Sequence, residues 1–515
     1  MPLPWPRREL AEAGGVLAVA GLVYGLAAAP YAVPPSMDAY YYVDLGRSLA
    51  AGHGLTEHFV WNYLPPPQEL VHPGSTYWLP LLSVLIAASL TLFGSGYWVE
   101  RLPGLLCAAA YVALTYLLAR RLGLGRRGGL GAAGLVLFNG VWFHDFTGPD
   151  AFVPYALLAT ASLAAQGAGL RHASVRLWVV GGLCAGLASL TRQEGVLLLA
   201  AGTLALAVRL VRSPAGGRGP WWRAAGAYIA AYLAAWAPWF IFLAAHAAAP
   251  RAGLSTLWLR SYDDFYSYGL ALSPAYYLAW GWTNILHSKA EALLFLVAFW
   301  VFLWQVFLVP LLAVGLAGLR RRPACAPFLI YMTLLGLTLP LLFTFPSRHG
   351  TLPHASMSLL AFAACAIMAA LQRLTQRWPN RARWAAVLVL VGCAAGVSLW
   401  WADHSFASAA TERPAVLVAV AWLDSHAPAG APAVVDDPPA FAYVSDRPTI
   451  IQPSNGLEAI IGAAGRYGAR YWVATSGEGP PSAAAGAALG VRLLATLPGG
   501  VRVYALPTPA PHPVR

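Results

Sequence analysis

The chain has 515 residues, 58% of them hydrophobic and 10% charged, with a mean hydropathy of +0.58, whereas an average soluble domain carries about 25% charge. That balance excludes an ordinary water-soluble enzyme, a disordered chain and a fibrous repeat, and leaves a polytopic α-helical membrane protein. The net charge of +12 comes from 33 basic against 21 acidic residues, but the basic ones sit in short loops between apolar runs, as membrane insertion favours, so no nucleic-acid partner follows.

Spanning a bilayer core takes about 20 apolar residues in a helix. Such runs fall near 12–34, 99–119, 128–146, 151–169, 175–191, 195–211, 225–246, 291–318, 326–345, 352–372 and 384–402, which makes eleven. The first follows Pro2–Arg8 and ends near Ala27-Ala28-Ala29, a pattern shared with cleaved signal peptides. Its length and the ten spans after it favour an uncleaved helix. A further apolar stretch, 76–94, either crosses or lies along the membrane. With the N-terminus cytoplasmic and 76–94 not crossing, 19 basic residues face the cytoplasm and seven face outward in the membrane domain. If 76–94 crossed, the basic clusters would reverse, against the positive-inside rule. This topology also puts every acidic residue except Glu9 and Glu12 at the outer face or in the tail.

After the first span comes PPSMDAYYYVDLGRSLAAGHGLT, residues 34–56. An ionisable group beside lipid is expensive and marks a functional site by default, and a partly desolvated Asp38 has the makings of a general base. The structural alternative is that Asp38 caps the helix that follows. Two large outer loops, 35–98 and 247–290, are rich in Tyr and Trp. Trp61–Trp78 and Tyr262–Tyr268 (YDDFYSY) read either as lipid-head or sugar contacts or as an interfacial aromatic belt.

The composition changes after Trp401. Residues 404–515 hold short strand-like runs at 432–436, 470–474, 491–496 and 501–505, with helical patterns near 413–426 and 456–467. They predict a small extracytoplasmic α/β domain behind a membrane domain over 1–403. Asp436-Asp437 before two prolines reads as turn chemistry. Five cysteines without CxxC spacing imply neither a disulfide framework nor a metal site. No internal repeat of the transporter kind is visible.

Asp38 within DAYYYVDLGRSLAAGHGL resembles the opening of the dolichyl-phosphate-mannose–protein mannosyltransferases and the aminoarabinose transferases, lipid-phosphate-dependent glycosyltransferases of the GT-C superfold. The likeness continues through His72-Pro73-Gly74, Leu92–Leu106, Ala119–Gly123, Phe146–Phe152 and Leu190–Gly195, and covers roughly the first 210 residues. His-Pro-Gly departs from the commoner His-Pro-Pro. A basic residue expected near the donor phosphate is not evident, since Arg47 is the only one between Asp38 and Arg101.

The resemblance implies a GT-C-like multi-pass enzyme of the cell membrane that moves a sugar from a polyprenyl-phosphate donor to an extracytoplasmic protein, glycolipid or wall-polymer acceptor, with inversion. It implies Asp38 as base and a second acid at Asp150, with Asp145 nearby. Arg260 and Arg348 are candidates for offsetting phosphate charge, and His72 and His349 for added donors. Tyr41, Arg192 and Glu194 complete the candidate substrate-binding set. Each has a structural alternative: Arg348 snorkelling to lipid phosphate, Arg260 pairing with Asp263, Arg192 pairing with Glu194. No cofactor is certain. Asp38, Asp150 and His144 are the groups that would meet a divalent metal if one is used. The competing function is a transporter or flippase of lipid-linked saccharides, which calls for polar groups through the midplane rather than at the outer edge.

Overall fold

The computed structural model describes residues 6–246, 253–475 and 482–507. Among the described residues, eight helices are long and apolar enough to cross a membrane, or nine if the bent pair Gly140–Thr147 and Phe152–His172 counts as one span. Shorter apolar helices, among them Val175–Ser189 and Val309–Leu319, account for further stretches of the sequence-based reading. At the centre lie Tyr97–Arg121, Phe152–His172 and Leu360–Leu374, the last buried along nearly its whole length. The first helix, Arg7–Ala28, buries Ala13, Ala20, Tyr24 and Ala28 along one face against Tyr97–Arg121. Small side chains let two helix backbones approach closely where no hydrophobic gain drives them together.

One apolar stretch behaves as expected and two elements differ. The stretch 76–94 yields only the helix Leu81–Phe93, and 13 residues at about 1.5 Å each fall short of a hydrocarbon core about 30 Å thick. The run 291–318 is two helices, Trp282–Leu303 and Val309–Leu319. The chain turns between them through Gln305 and Val306, both at φ 51°, and the Gln305 amide donates to the carbonyl of Phe138. Finally, 413–426 is no separate helix of the tail: the last span continues unbroken as Asn380–His426, through the expected boundary at 403/404.

The small domain is a six-stranded mixed sheet. Its strands are β2 (Phe59–Val60), β4 (Ala433–Val435), β5 (Thr449–Ile451), β6 (Tyr471–Ala474), β7 (Arg492–Thr496) and β8 (Arg502–Ala505), in the order β2-β5-β4-β6-β8-β7. The first four in that order are parallel and the last two pairings antiparallel. Helices Pro438–Ser445 and Leu457–Tyr467 make the crossovers that parallel neighbours require. Alternate residues divide between two cores. Val434, Ile450 and Trp472 pack under Leu457–Tyr467, while Ala433, Val435 and Val473 pack against Ala419, Val420 and Leu423 of the long helix. Asp437 caps Pro438–Ser445, its Oδ1 accepting the Ala440 N–H at 3.1 Å, which matches the turn chemistry read from the sequence. Strand β2 comes from the first long loop, so the sheet joins two regions far apart in the chain. Beside it, β1 (Thr56–Glu57) pairs with β3 (His72–Pro73).

Candidate active site

The helix Met37–Ala50 starts at Ser36, whose backbone is extended and whose Oγ accepts the Ala39 N–H at 3.2 Å. Ser36, not Asp38, is therefore the cap. Asp38 stands in the first turn with its carboxyl facing a cavity of about 270 Å³. Burial pushes that carboxyl up to about 6, against the opposing pull of the Arg192 charge.

Arg192 and Glu194 reach the same cavity from the turn between Val175–Ser189 and Val196–Arg212. The Arg192 Nη2 donates to Glu194 Oε1 at 2.9 Å, its Nη1 lies 3.4 Å from His354 Nδ1, and its Nε is buried without a partner. Both side chains are largely buried. The expected ion pair exists, and it holds a guanidinium at the cavity wall with donor capacity to spare.

Asp150 lies behind Asp38 rather than on the cavity surface. Only 5% exposed, it accepts the Ala151 N–H at 2.6 Å on Oδ1 and the Ser36 hydroxyl at 3.4 Å on Oδ2. The carboxylate thus ties its own turn to the start of the Asp38 helix. That turn sits close against Tyr97–Arg121 because Gly104 has no side chain: a Cβ there would come 2.8 Å from the Gly148 carbonyl oxygen. Asp145 is next to His144, Oδ2 to Nδ1 3.1 Å, and neither lines the cavity.

The remaining wall is aromatic. Trp61 and Trp78 stack at 4.0 Å with rings nearly parallel, and Tyr77 meets Phe265 edge to face at 5.8 Å. From the other side, His349 stacks on Tyr262 at 4.4 Å. His349 is presented by a break in the helical run Thr344–Leu374, where Gly350 takes φ 126°.

Four further expected binding residues lie elsewhere. The Tyr41 hydroxyl bonds Glu57, and the His72 Nε2 lies 3.7 Å from Glu57 and 3.2 Å from the Phe59 carbonyl. The Ser75 N–H also donates to Glu57, at 3.1 Å. Tyr41 and His72 therefore serve a buried acid of the first loop, whose carboxyl burial pushes up. Arg260 lays its guanidinium 3.7 Å over Tyr276, and its backbone N–H, not its side chain, reaches a carboxylate, that of Asp264. Arg348 pairs with Glu291 at 2.7 Å. None of these four lines the main cavity. Conversely, Tyr42 and His354 line it and were not singled out. Tyr42 was hidden among three tyrosines, and His354 gives no sequence signal beyond its place in an apolar run. Among the described residues, no three His, Cys, Asp or Glu side chains gather in a metal-holding group.

This architecture is the GT-C fold. It superposes on ArnT from Cupriavidus metallidurans, in the apo state and bound to undecaprenyl phosphate, with a TM-score of 0.60 at 15% identity over 95% of this chain and 97% of that one. It is also similar to the archaeal oligosaccharyltransferase AglB from Archaeoglobus fulgidus in complex with an inhibitory peptide and a dolichol-phosphate, with a TM-score of 0.50 at 12% identity over 91% of this chain and 70% of that one. A family model described as dolichyl-phosphate-mannose-protein mannosyltransferase matches residues 71–257, a stretch that includes Arg192 and Glu194 but not Asp38. No curated protein matches the sequence.

Proposed function

We propose that this protein is a membrane glycosyltransferase that takes its sugar from a polyprenyl-phosphate donor and passes it, with inversion, to an acceptor outside the cytoplasm. The observation that carries the reading is the cavity in which an uncapped carboxylate, Asp38, opposes a buried guanidinium, Arg192, on a fold shared with a protein crystallised with undecaprenyl phosphate.

In the proposed reaction Asp38 accepts the proton of the acceptor hydroxyl or amine as its oxygen or nitrogen bonds the sugar's anomeric carbon. The bond from that carbon to the phosphate oxygen breaks, and polyprenyl phosphate leaves with the electron pair. Arg192 faces the developing phosphate charge through charge-assisted hydrogen bonds. Glu194 holds the guanidinium in place, and Asp150 holds the turn on which Asp38 depends. The aromatic wall offers flat apolar faces to the sugar and to the first isoprene units. In this reading the N-terminus is cytoplasmic and the cavity and tail domain lie outside, which the concentration of basic residues in alternate loops supports.

The test is Asp38→Asn in purified protein given polyprenyl-phosphate-linked sugars. General-base catalysis contributes about 10²–10⁴-fold, so transfer is expected to fall by at least about a hundredfold while the protein keeps its fold and still binds undecaprenyl phosphate. Undiminished transfer contradicts Asp38 as base. Movement of lipid-linked saccharide across vesicles with no covalent product contradicts the transferase reading.

A further inference from the structure

The segment Tyr262–Tyr268 supplies Tyr262 and Phe265 to the cavity wall, yet its backbone is held from outside the membrane domain. The turn that leads from β5 into Leu457–Tyr467 makes five hydrogen bonds with it or with its side chains. The Ser454 N–H donates to the Tyr266 carbonyl at 3.1 Å, and the Ser454 hydroxyl donates to the Asp263 carbonyl at 2.7 Å. The Ser454 and Ser267 hydroxyls lie 3.1 Å apart. The Asn455 side-chain amide does the work of a neighbouring strand: Oδ1 accepts the Tyr268 N–H at 3.1 Å, and Nδ2 donates to the Tyr268 carbonyl at 3.0 Å. On the opposite side, the Phe265 carbonyl accepts the Tyr63 N–H at 3.0 Å, two residues from Trp61. The aromatic wall is thus gripped between the first loop and the tail domain.

We propose that Ser454 and Asn455 are positioning residues: the tail domain holds the aromatic wall of the second loop beside Asp38, and the cavity is complete only when first loop, second loop and tail are docked. Every bond in the grip ends on the segment's backbone or on the Ser267 hydroxyl, and none on an aromatic ring. It therefore fixes where the segment runs and leaves its rings free to face the cavity. The consequence for ligand binding rests on the proposed function; the grip itself does not.

Two measurements on the full chain in lipid nanodiscs separate these. The first is amide hydrogen exchange in wild type, in S454A/N455A and in the cross-linked S267C/S454C variant. Exchange at 262–268 is expected to be at least tenfold faster in S454A/N455A, unchanged at 457–467 and 37–50, and as slow as wild type in the oxidised S267C/S454C protein. Equal exchange in wild type and S454A/N455A overturns the grip. The second is undecaprenyl phosphate affinity: Kd is expected to rise at least fivefold in S454A/N455A and to stay at the wild-type value in the oxidised S267C/S454C protein. Faster exchange with an unchanged Kd overturns the positioning role. Wild type that binds no undecaprenyl phosphate overturns the proposed function, and the exchange result still decides the grip.

Discussion

Ser36 takes the capping bond, and that small division of labour determines what Asp38 is free to do. A carboxylate engaged by backbone N–H groups is held in its charged form and is a poor base. Asp38 has instead the cavity in front of it, burial raising its proton affinity to about 6, and Arg192 limiting that rise. A base must be ionised to work, so protonation below about 6 removes activity. We therefore expect kcat/KM to fall tenfold per pH unit below about 6 and to be flat above it until another group titrates. A pH profile of kcat/KM checks this, and an acid limb centred near 4, where an ordinary carboxylate titrates, would contradict it. Burial of Glu57 by Tyr41, Ser75 and His72 has a different outcome. Its Oε1 accepts from two donors within the loop and its Oε2 lies 3.7 Å from His72 Nε2, so it braces the loop and does not line the main cavity.

The elements that build the site meet through close approaches and interruptions. Gly104 lets the Gly148–Asp150 turn rest on Tyr97–Arg121, and the break around Gly350 aims His349 inward. Gly104→Ala forces a methyl group against the Gly148 carbonyl, and overpacking of this kind costs about 1–3 kcal/mol. The expected outcome is a lower thermal midpoint together with reduced transfer, because the displaced turn carries Asp150 away from Ser36; unchanged stability and transfer would contradict the role given to that contact. Two of the motifs read from the sequence, the ERLPGLL and FTGPDAF segments, are the two sides of this contact, which spacing alone did not reveal. Most spans were legible because long apolar runs admit few other fates. The break at 304–308 was not, because Trp304 to Leu308 contains a single polar residue and the run stays apolar across it. Charged residues in apolar surroundings, Asp38 and Arg192 with Glu194, stood out for the same reason that membranes penalise them. The destinations of Arg260 and Arg348 did not, since a cation over a ring or paired with an acid leaves the same sequence trace as one awaiting a phosphate.

At the scale of the whole molecule, the cavity is lined by residues between Asp38 and His354, yet the loops that form its wall are tied to the tail. Strand β2 of the first loop pairs with β5 of the tail, the second loop is held by Ser454 and Asn455, and the helix Asn380–His426 runs from the membrane domain into the tail. This interdependence was invisible in the sequence, because β2 is two residues long and its partner lies almost 400 positions away. Removing residues 427–515 is expected to expose the paired edge of β2 and the buried faces of Val60 and Tyr63, and to abolish transfer rather than merely lower it. Assay of the truncated protein checks this, and retained transfer would reduce the tail to an accessory.

Under the proposed function, Asp38 and Arg192 face one another across a polyprenyl-phosphate site. An experimental structure of the full chain with undecaprenyl phosphate tests it most directly. The phosphate is expected in this cavity, bonded to Arg192 and beside Asp38, with the isoprenoid chain leaving along the aromatic wall. A headgroup bound at Arg260 or Arg348, with the cavity before Asp38 empty, would contradict it.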